Sequence, residues 1–459
     1  MTIPVPDAAS YPGESLDDDA APNVPARTAW LDRTVAACLV VVTVVLGWNR
    51  LTPLVRRTAW AEDAGLFLVQ RLDRGPFATL LLPYDGYLHL VPRIVVDLIV
   101  AVATDEDQFA LGMTIASLTV VGLVAALVFL FSASFVTSRV MRAALALVPV
   151  LAPMAALEAL GNAANLHWFL LYLLPFAVIW RPRRMPGHVV QVIVIVVVVL
   201  SEVQSVIFLP LVLLVVLRRV TRSGAAALVL ACVAQLASVV ASPRVRGDAP
   251  LPEVVNAAVG FVAEPVMGSW VSPGRAADLL TGPHGVAVAL AATAPFVIAL
   301  GAGLARRGGA RNLLIAVLVY GVVAVWVTDV YANPTVTIDF VSRGMGLTRD
   351  MGYVRYALVP SMFLIALLAT GIDRLAASRY LVSRGGAVLL VVLLVVALTR
   401  QFEPYSYTRI SGPDWAASVA TARVACEANP EGVVRVASAP AGWGLDVACS
   451  DLDGDGFGR

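Results

Sequence analysis

The sequence contains no lysine, only four histidines and four cysteines, and few charged side chains of any kind, at 14 % of its 459 residues. Its formal net charge of +1 provides no long-range positive field, and no run of basic residues could follow a phosphate backbone. We therefore do not predict nucleic acid as a partner.

The motifs of several enzyme classes are also missing. There is no P-loop, and no GxGxxG turn follows a strand and opens a helix, so nucleotide hydrolysis and dinucleotide binding are not predicted. No second His or Cys lies at metal-ligand spacing from His89, which leaves a zinc site unsupported. We predict no cofactor and no metal site; the sequence offers no support for a divalent metal.

Apolar side chains are abundant and make up 59 % of the chain. They fall in continuous blocks rather than in the one-sided stripes of soluble amphipathic helices, a pattern typical of helices surrounded by lipid. We predict an all-α polytopic membrane protein with about eleven transmembrane helices. The apolar blocks lie near residues 34–48, 108–131, 142–158, 165–180, 189–200, 203–217, 225–242, 285–304, 312–330, 355–371 and 386–399.

Clusters of arginine orient these helices, because short cytoplasmic loops retain positive charge. Three clusters, at 181–184, 218–222 and 306–311, are predicted to be cytoplasmic. The apolar region 188–217 has an arginine cluster at both ends, which favours a hairpin of two short helices that turns near Ser201–Ser205. This topology puts the N-terminus in the cytoplasm and the C-terminus outside a bacterial cytoplasmic membrane.

The segment 87–103 has the apolar length of a spanning helix but contains His89, Arg93 and Asp97. If it crossed the membrane, the arginine clusters that follow it would lie on the wrong side. We therefore predict a juxtamembrane helix along the outer face, beside the amphipathic stretch Trp60–Leu72, within a first outer loop that covers 49–107.

Three regions follow from this topology. Residues 1–33 are predicted to be a disordered cytoplasmic tail, residues 34–399 the transmembrane domain, and residues 400–459 a small extracytoplasmic domain. Cys426 and Cys449 both lie in this last region. An oxidising compartment favours a disulfide between them.

Two adjacent carboxylates, Glu62 and Asp63, follow the first helix. Neighbouring side chains on a helix point about 100° apart, so only one of the two can face a given cavity. Asp63 is the preferred active group. An acid pair that is stabilised by a helix dipole explains the same two residues without any function, and this alternative stays open.

Other polar groups near the outer membrane surface must line water or pair with protein groups. Arginine binds a lipid phosphate bidentately, which is one reason to keep it outside. Helix caps, hydrogen bonds between helices and ordinary headgroup contacts remain alternative explanations. The candidates for lining a substrate site are Tyr87, His89, Arg93, Asn162, Asn165, His167, Glu202 and Gln204, and those for binding a phosphate or lipid are Arg343, Arg355 and Tyr356.

Three features of the sequence resemble the GT-C superfamily of integral-membrane glycosyltransferases. They are the acidic motif Glu62-Asp63 after the first helix, the surface segment with His89 and Pro92, and Arg355-Tyr356 at the start of a late helix. The resemblance covers most of the chain as an arrangement of segments. The chain departs from better-known members in having no double proline after His89 and only a small C-terminal domain.

The resemblance implies transfer of a sugar from a polyprenyl-phosphate donor to an extracytoplasmic acceptor, which can be a cell-envelope glycan, a lipid or a protein. Asp63, or Glu62, would then deprotonate the acceptor hydroxyl, and Arg355 would hold the donor phosphate in an inverting displacement. The implied partners are membrane lipid, the lipid-borne sugar donor and the acceptor.

Two other classes of function are compatible with the same residues. In a transporter or flippase for a lipid or polar solute, Glu158 and Glu202 would carry protons and Arg355 would bind substrate. In a noncatalytic partner of envelope assembly, none of these groups would take part in chemistry.

Overall fold

The computed structural model describes residues 26–103, 105–217, 219–244, 251–305, 309–332, 340–341, 345–349, 354–404 and 409–452. Within them the chain is mostly helical, with one small sheet. The helices are α1 Ala26–Arg50, α2 Val69–Arg74, α3 Leu90–Val102, α4 Phe109–Phe131, α5 Arg139–Leu151, α6 Leu166–Ile179, α7 Met185–Val199, α8 Arg222–Ala241, α9 Val254–Phe261, α10 Pro273–Thr281, α11 Gly285–Leu304, α12 Gly309–Ala332, α13 Gly346–Arg349, α14 Val354–Ala376, α15 Leu381–Arg400 and α16 Trp415–Ala428, and the strands are β1 Val433–Ala437 and β2 Gly444–Ala448.

The chain is a polytopic membrane protein, as predicted. Eight helical stretches of its described residues are long and apolar enough to cross a bilayer. Three of the predicted blocks form shorter helices, namely α6, α7 and the 3₁₀ segment Val203–Val215. The candidate spans are Trp30–Arg50, Glu106–Ser134, Arg139–Leu157, Arg222–Ala241, Gly285–Leu304, Gly309–Ala332, Val354–Ala376 and Leu381–Arg400.

The two short helices predicted between the arginine clusters at 181–184 and 218–222 are α7 and the segment Val203–Val215. A 3₁₀ helix rises about 2.0 Å per residue, so this 13-residue segment covers about 26 Å, more than an α-helix of the same length. Glu202 caps the segment, since its side chain accepts a hydrogen bond from Gln204 N. The break between the two helices therefore holds a buried carboxylate.

The centre of the bundle is α14, which packs against α5, α6, α11, α12 and α15. Most of α14 is buried inside the protein: 89 % of the residues in its apolar part are buried, whereas the share is 17 % in α11 and in α15. The two latter helices therefore present most of their apolar surface outwards, as lipid-facing helices do. The position of α14 matters because Arg355 lies in its first turn.

The first helix begins at Ala26, before the apolar block that starts at residue 34, and residues 1–25 lie outside the described residues. Asp32 explains the longer helix, because it forms ion pairs with Arg139 and Arg142 of α5 at 2.7 and 2.9 Å. The 13 residues of α3 form a short helix that is not among the candidate spans.

The C-terminal region folds as α16 followed by the antiparallel hairpin β1–β2. The predicted disulfide is present: Cys426 of α16 is bonded to Cys449, which follows β2. The hairpin connection also reaches the first loop, where Ala439 N donates to Ala59 O and Trp60 forms a bridge with Ala439. This small domain therefore lies directly against the segment that carries Glu62 and Asp63.

Candidate active site

A cavity of about 550 Å³ lies at one end of the bundle, where α6, α14 and the segment Val203–Val215 begin and where α8 and α12 end. The other ends of α6, α8, α12 and α14 carry arginines, and one of these, Arg311, pairs with Asp373 at 2.8 Å. The cavity brings together most of the predicted site residues. They are Glu62, Tyr87, His89, Asn165, His167, Glu202, Gln204, Arg355 and Tyr356.

Three predicted site residues of the described chain do not line this cavity: Asp63, Arg93 and Asn162. Arg93 is buried elsewhere, where it donates to Gln70 and lies over the ring of Phe67. Asn162 accepts a hydrogen bond from the side chain of Asn165 and thereby holds that side chain in place. The predicted phosphate ligand Arg343 lies outside the described residues.

Glu62 rather than Asp63 faces the cavity. A π-helical turn, Asp63–Leu68, begins directly after Glu62 and points the two acids to different places. Glu62 Oε2 is shielded from bulk solvent, and it accepts no hydrogen bond from the described residues. Buried polar atoms nearly always have a partner, so this oxygen is a candidate for binding or deprotonating a ligand hydroxyl.

Arg355 is held at the cavity wall by Glu158, whose Oε1 lies 3.1 Å from the guanidinium nitrogen Nη1. Burial raises the pKa of Glu158, while the Arg355 guanidinium opposes this shift, and the charge of Glu62 adds to it. A guanidinium has five N–H donors, so the ion pair leaves donors for an anion in the cavity. Glu62, Glu158 and Arg355 are called the acid–arginine group below.

Asp63 has a structural role that the sequence did not reveal. It is 1 % exposed, and its two oxygens accept hydrogen bonds from the backbone nitrogens of Ala163 and Ala164 at 2.9 and 2.8 Å. Arg409 binds the same turn by donating to the carbonyl oxygens of Leu160 and Gly161. Asp63 and Arg409, which come from distant segments, therefore fix the turn 160–164 by hydrogen bonds, and this turn leads into the cavity residues Asn165, His167 and Trp168.

This burial predicts a pH dependence. Desolvation raises the pKa of Asp63 to about 7, although the hydrogen bonds from Ala163 and Ala164 lower it. A carboxyl whose pKa is raised in the folded state loses its stabilising contribution as pH rises from about 4 to about 7, because the unfolded chain ionises first. Asp63→Asn cannot titrate, so the Tm of the wild type in detergent should fall relative to that of Asp63→Asn as pH rises from 5 to 8. A constant difference across this range would contradict the assignment.

Aromatic side chains line the side of the cavity that the first loop provides. The ring of His89 lies 4.0 Å from that of Tyr87 and 5.4 Å from that of Tyr84, and its Nδ1 contacts Tyr87 O. Burial and the neighbouring His167 lower the pKa of His89 well below its usual range. A neutral imidazole among tyrosine rings fits a surface for stacking and hydrogen bonding better than an anion site.

Trp168 lies between two sets of polar groups. Its indole nitrogen donates to Asn165 Oδ1 at 3.1 Å, and Asn165 is in turn held by Asn162. Its ring is 4.2 Å from His167 and 5.8 Å from Tyr356, which follows Arg355 in the chain. The hydrogen-bonded chain from Asn162 to Trp168 therefore fixes an aromatic surface inside the cavity.

The second set of polar groups comprises His167, Glu202 and Gln204 and is called the amide–histidine group below. Glu202 contacts His167 Nδ1 and accepts from Gln204 N at 2.7 Å. The side-chain nitrogen of Gln204 donates to Asp329 of α12. Sequence reasoning missed Asp329, although a single carboxylate within the apolar block 312–330 was a signal that could have identified it.

Arg409 and the ion pair between Arg244 and Asp85 at 2.9 Å were also missed. Neither carries a local sequence signal, because their partners are distant in the chain. Among the described residues no group of three or more His, Cys, Asp or Glu side chains is arranged to hold a metal ion.

No protein-family model matches the sequence, and no curated protein matches it. Among solved structures, the chain is similar to a cryo-EM structure of the arabinofuranosyltransferase AftD from Mycobacteria, with 17 % sequence identity and a TM-score of 0.43. The similarity covers 87 % of this chain but 30 % of AftD, so the chain spans less than a third of that protein. The function proposed below therefore depends on the cavity and not on this likeness.

Proposed function

We propose that this protein is a membrane glycosyltransferase of the GT-C type, which moves a sugar from a polyprenyl-phosphate donor to an extracytoplasmic acceptor. The observation that supports this most is that one cavity at a helix end holds both the Arg355 guanidinium and a Glu62 oxygen that has no hydrogen-bond partner in the described part of the chain. Transfer from a lipid phosphate needs these two groups: a base for the acceptor and a cation for the leaving group.

In the proposed reaction, Glu62 accepts the proton of the acceptor hydroxyl as its oxygen attacks the anomeric carbon of the donor sugar. The bond between that carbon and the phosphate oxygen breaks, and the polyprenyl phosphate leaves with both bonding electrons. Arg355 stabilises the charge that gathers on the departing phosphate. Attack opposite the leaving group inverts the configuration at the anomeric carbon. The roles of the two acids are thus reversed, with Glu62 as base and Asp63 as a structural residue.

The orientation proposed from the sequence agrees with the position of the cavity. The described arginines of these clusters lie at the ends of α6, α8 and α12 that are remote from it. Because short cytoplasmic loops retain positive charge, we infer that the cavity opens on the extracytoplasmic side of a bacterial cytoplasmic membrane. The C-terminal domain, with its disulfide, lies on the same side in this arrangement.

Transfer assays in membranes test this function directly. Membranes that contain the protein are supplied with radiolabelled polyprenyl-phosphate sugars, one hexosyl and one pentosyl, and are compared with membranes that lack the protein. We expect Arg355→Gln to raise the KM for the donor about 10- to 100-fold, because one charge-assisted contact to phosphate is lost. Arg379→Gln is the matched control, because Arg379 is exposed just beyond the other end of α14 and its side chain contacts the neighbouring Tyr380. Equal donor KM values in both variants would show that Arg355 does not bind the donor phosphate.

A specific observation favours one alternative, a transporter. Asp329 is a fully buried carboxylate within a candidate span, and it contacts the amide of Gln204 in the cavity wall. Intramembrane acids commonly carry protons in transporters. A transporter should lose uptake or lipid flipping in vesicles when Asp329 is changed to Asn, and it should transfer no sugar in the assay above.

A further inference from the structure

The transfer reaction leaves one part of the cavity without a role, the amide–histidine group. Its three side chains are almost fully buried, with Gln204 7 % exposed, and they are fixed by contacts with one another and with Asp329. The group is therefore built before any ligand binds, which is what a specific binding site requires.

One atom of this fixed group has no partner. Gln204 Oε1 is inaccessible to bulk solvent and accepts no hydrogen bond from the described residues, although Gln204 lines the cavity. The nitrogen of the same amide donates to Asp329, which leaves the oxygen as the amide's open acceptor. A buried acceptor of this kind is costly unless a ligand supplies the donor.

The surroundings of Gln204 indicate the chemistry of that ligand. No arginine belongs to the amide–histidine group, whose member Glu202 and neighbour Asp329 are carboxylates. Of the arginines that line the cavity, Arg244 is paired with Asp85 and Arg355 with Glu158. A phosphate beside Gln204 would lie against the Glu202 carboxylate, whereas a neutral hydroxyl can donate to Gln204 Oε1. The group therefore fits a saccharide rather than the phosphate of the donor.

Trp168 connects this group with the phosphate end of the cavity. Its ring contacts both His167 and Tyr356, the neighbour of Arg355. A sugar ring placed against Trp168 would have its phosphate towards Arg355 and its distal hydroxyls towards Gln204. Aromatic faces with nearby hydrogen-bonding groups are well suited to the apolar and polar surfaces of a sugar.

We propose that Gln204 recognises a hydroxyl of the donor sugar and thereby contributes to donor specificity. This inference rests on the proposed function, since Arg355 is taken to hold the donor phosphate. The inference also gives the orientation of the bound donor: its phosphate lies at the acid–arginine group and its sugar lies at the amide–histidine group.

Binding without turnover tests the inference. The purified full-length protein in detergent is titrated with bare polyprenyl phosphate, with polyprenyl-phosphomannose and with polyprenyl-phosphoarabinose, and Kd is measured from quenching of tryptophan fluorescence. We expect Gln204→Met to raise the Kd of the tighter-binding sugar lipid about tenfold, because one hydrogen bond is lost and one oxygen removed. The Kd of bare polyprenyl phosphate should stay within about twofold.

Gln191→Met is the matched control. Gln191 is an equally buried glutamine, but all its bonds are made within the protein, to Ala177 O, Trp180 O and the Thr221 hydroxyl, away from the cavity. Its replacement should change neither Kd. The inference is overturned if Gln204→Met leaves both values unchanged, if it raises both equally, or if the wild type binds none of the lipids.

The proposed function can fail separately. A wild-type protein that shows the expected Kd pattern but transfers no sugar supports the saccharide site and contradicts the transferase activity. If the wild type transfers sugar but Gln204→Met leaves the Kd of the sugar lipid unchanged, the transferase activity is supported and the saccharide site at Gln204 is contradicted.

Discussion

Glu62→Gln is expected to lower the rate of sugar transfer in membranes by a factor of about 10² to 10⁴, the usual contribution of a general base. The amide keeps the size of the side chain and its place at the cavity wall, but it cannot accept the acceptor proton. The donor KM should change little, because the donor phosphate is assigned to Arg355. The measurement is initial-rate transfer from a radiolabelled polyprenyl-phosphate sugar, with the amount of protein in each membrane preparation equalised.

Folding provides the first control for this variant. Glu62 Oε2 has no hydrogen-bond partner among the described residues, so Glu62→Gln breaks no hydrogen bond of this oxygen there, and its Tm should stay close to that of the wild type. Glu427→Gln makes the same chemical change at an exposed position of α16 and should retain full activity. A Glu62→Gln protein that is folded and transfers sugar at the wild-type rate would rule out Glu62 as the base.

The helices and the disulfide could be predicted because their signals are local or compositional. Apolar blocks specify membrane helices wherever they pack. The positions of arginines in the sequence then predicted two short helices at 188–217 and a helix that does not span the membrane at 87–103. Cys426 and Cys449 are the cysteines of a region without apolar blocks, so their pairing required no knowledge of the fold. The positions of Glu158, Glu202 and Arg355 at helix ends followed from the same breaks.

The choice between Glu62 and Asp63 could not be made from the sequence. It depends on the π-helical turn that begins at Asp63 and on the backbone amides of Ala163 and Ala164, which lie 100 residues further along the chain. The two acids are chemically similar and adjacent, so only their distant partners distinguish a base from a structural carboxylate. The same holds for Gln204, whose proposed role depends on a contact with the distant Asp329.

Arg409→Gln is expected to destabilise the protein by about 3–5 kcal/mol, which is typical when one member of a buried charged network is removed. Arg409 is 2 % exposed and donates to Leu160 O and Gly161 O, some 250 residues away. Its charge also lowers the pKa of Asp63 and of Glu158, so both acids lose a compensating cation in the variant. The Tm in detergent, followed by tryptophan fluorescence, should fall clearly.

Arg435→Gln is the matched control, because Arg435 belongs to the same C-terminal region but pairs with Asp446 on the exposed face of the hairpin, where side chains are 50 % and 59 % exposed. Surface ion pairs contribute little, so its Tm should stay within about 1 °C of the wild type. If Arg409→Gln behaves like Arg435→Gln, the turn 160–164 does not depend on Arg409.

Arg409→Lys separates charge from geometry. Lysine retains the positive charge near Asp63 and Glu158, but its compact ammonium lacks the rigid fork that reaches two adjacent carbonyl oxygens. If charge alone matters, Arg409→Lys should recover most of the Tm lost in Arg409→Gln. If the fork fixes the turn, the Tm should recover only in part, and sugar transfer by Arg409→Lys should be slower than in the wild type, because the turn 160–164 leads into Asn165, His167 and Trp168 of the cavity. The second outcome is expected, since Arg409 binds two carbonyl oxygens of the turn, those of Leu160 and Gly161, while Asp63 binds two of its amides.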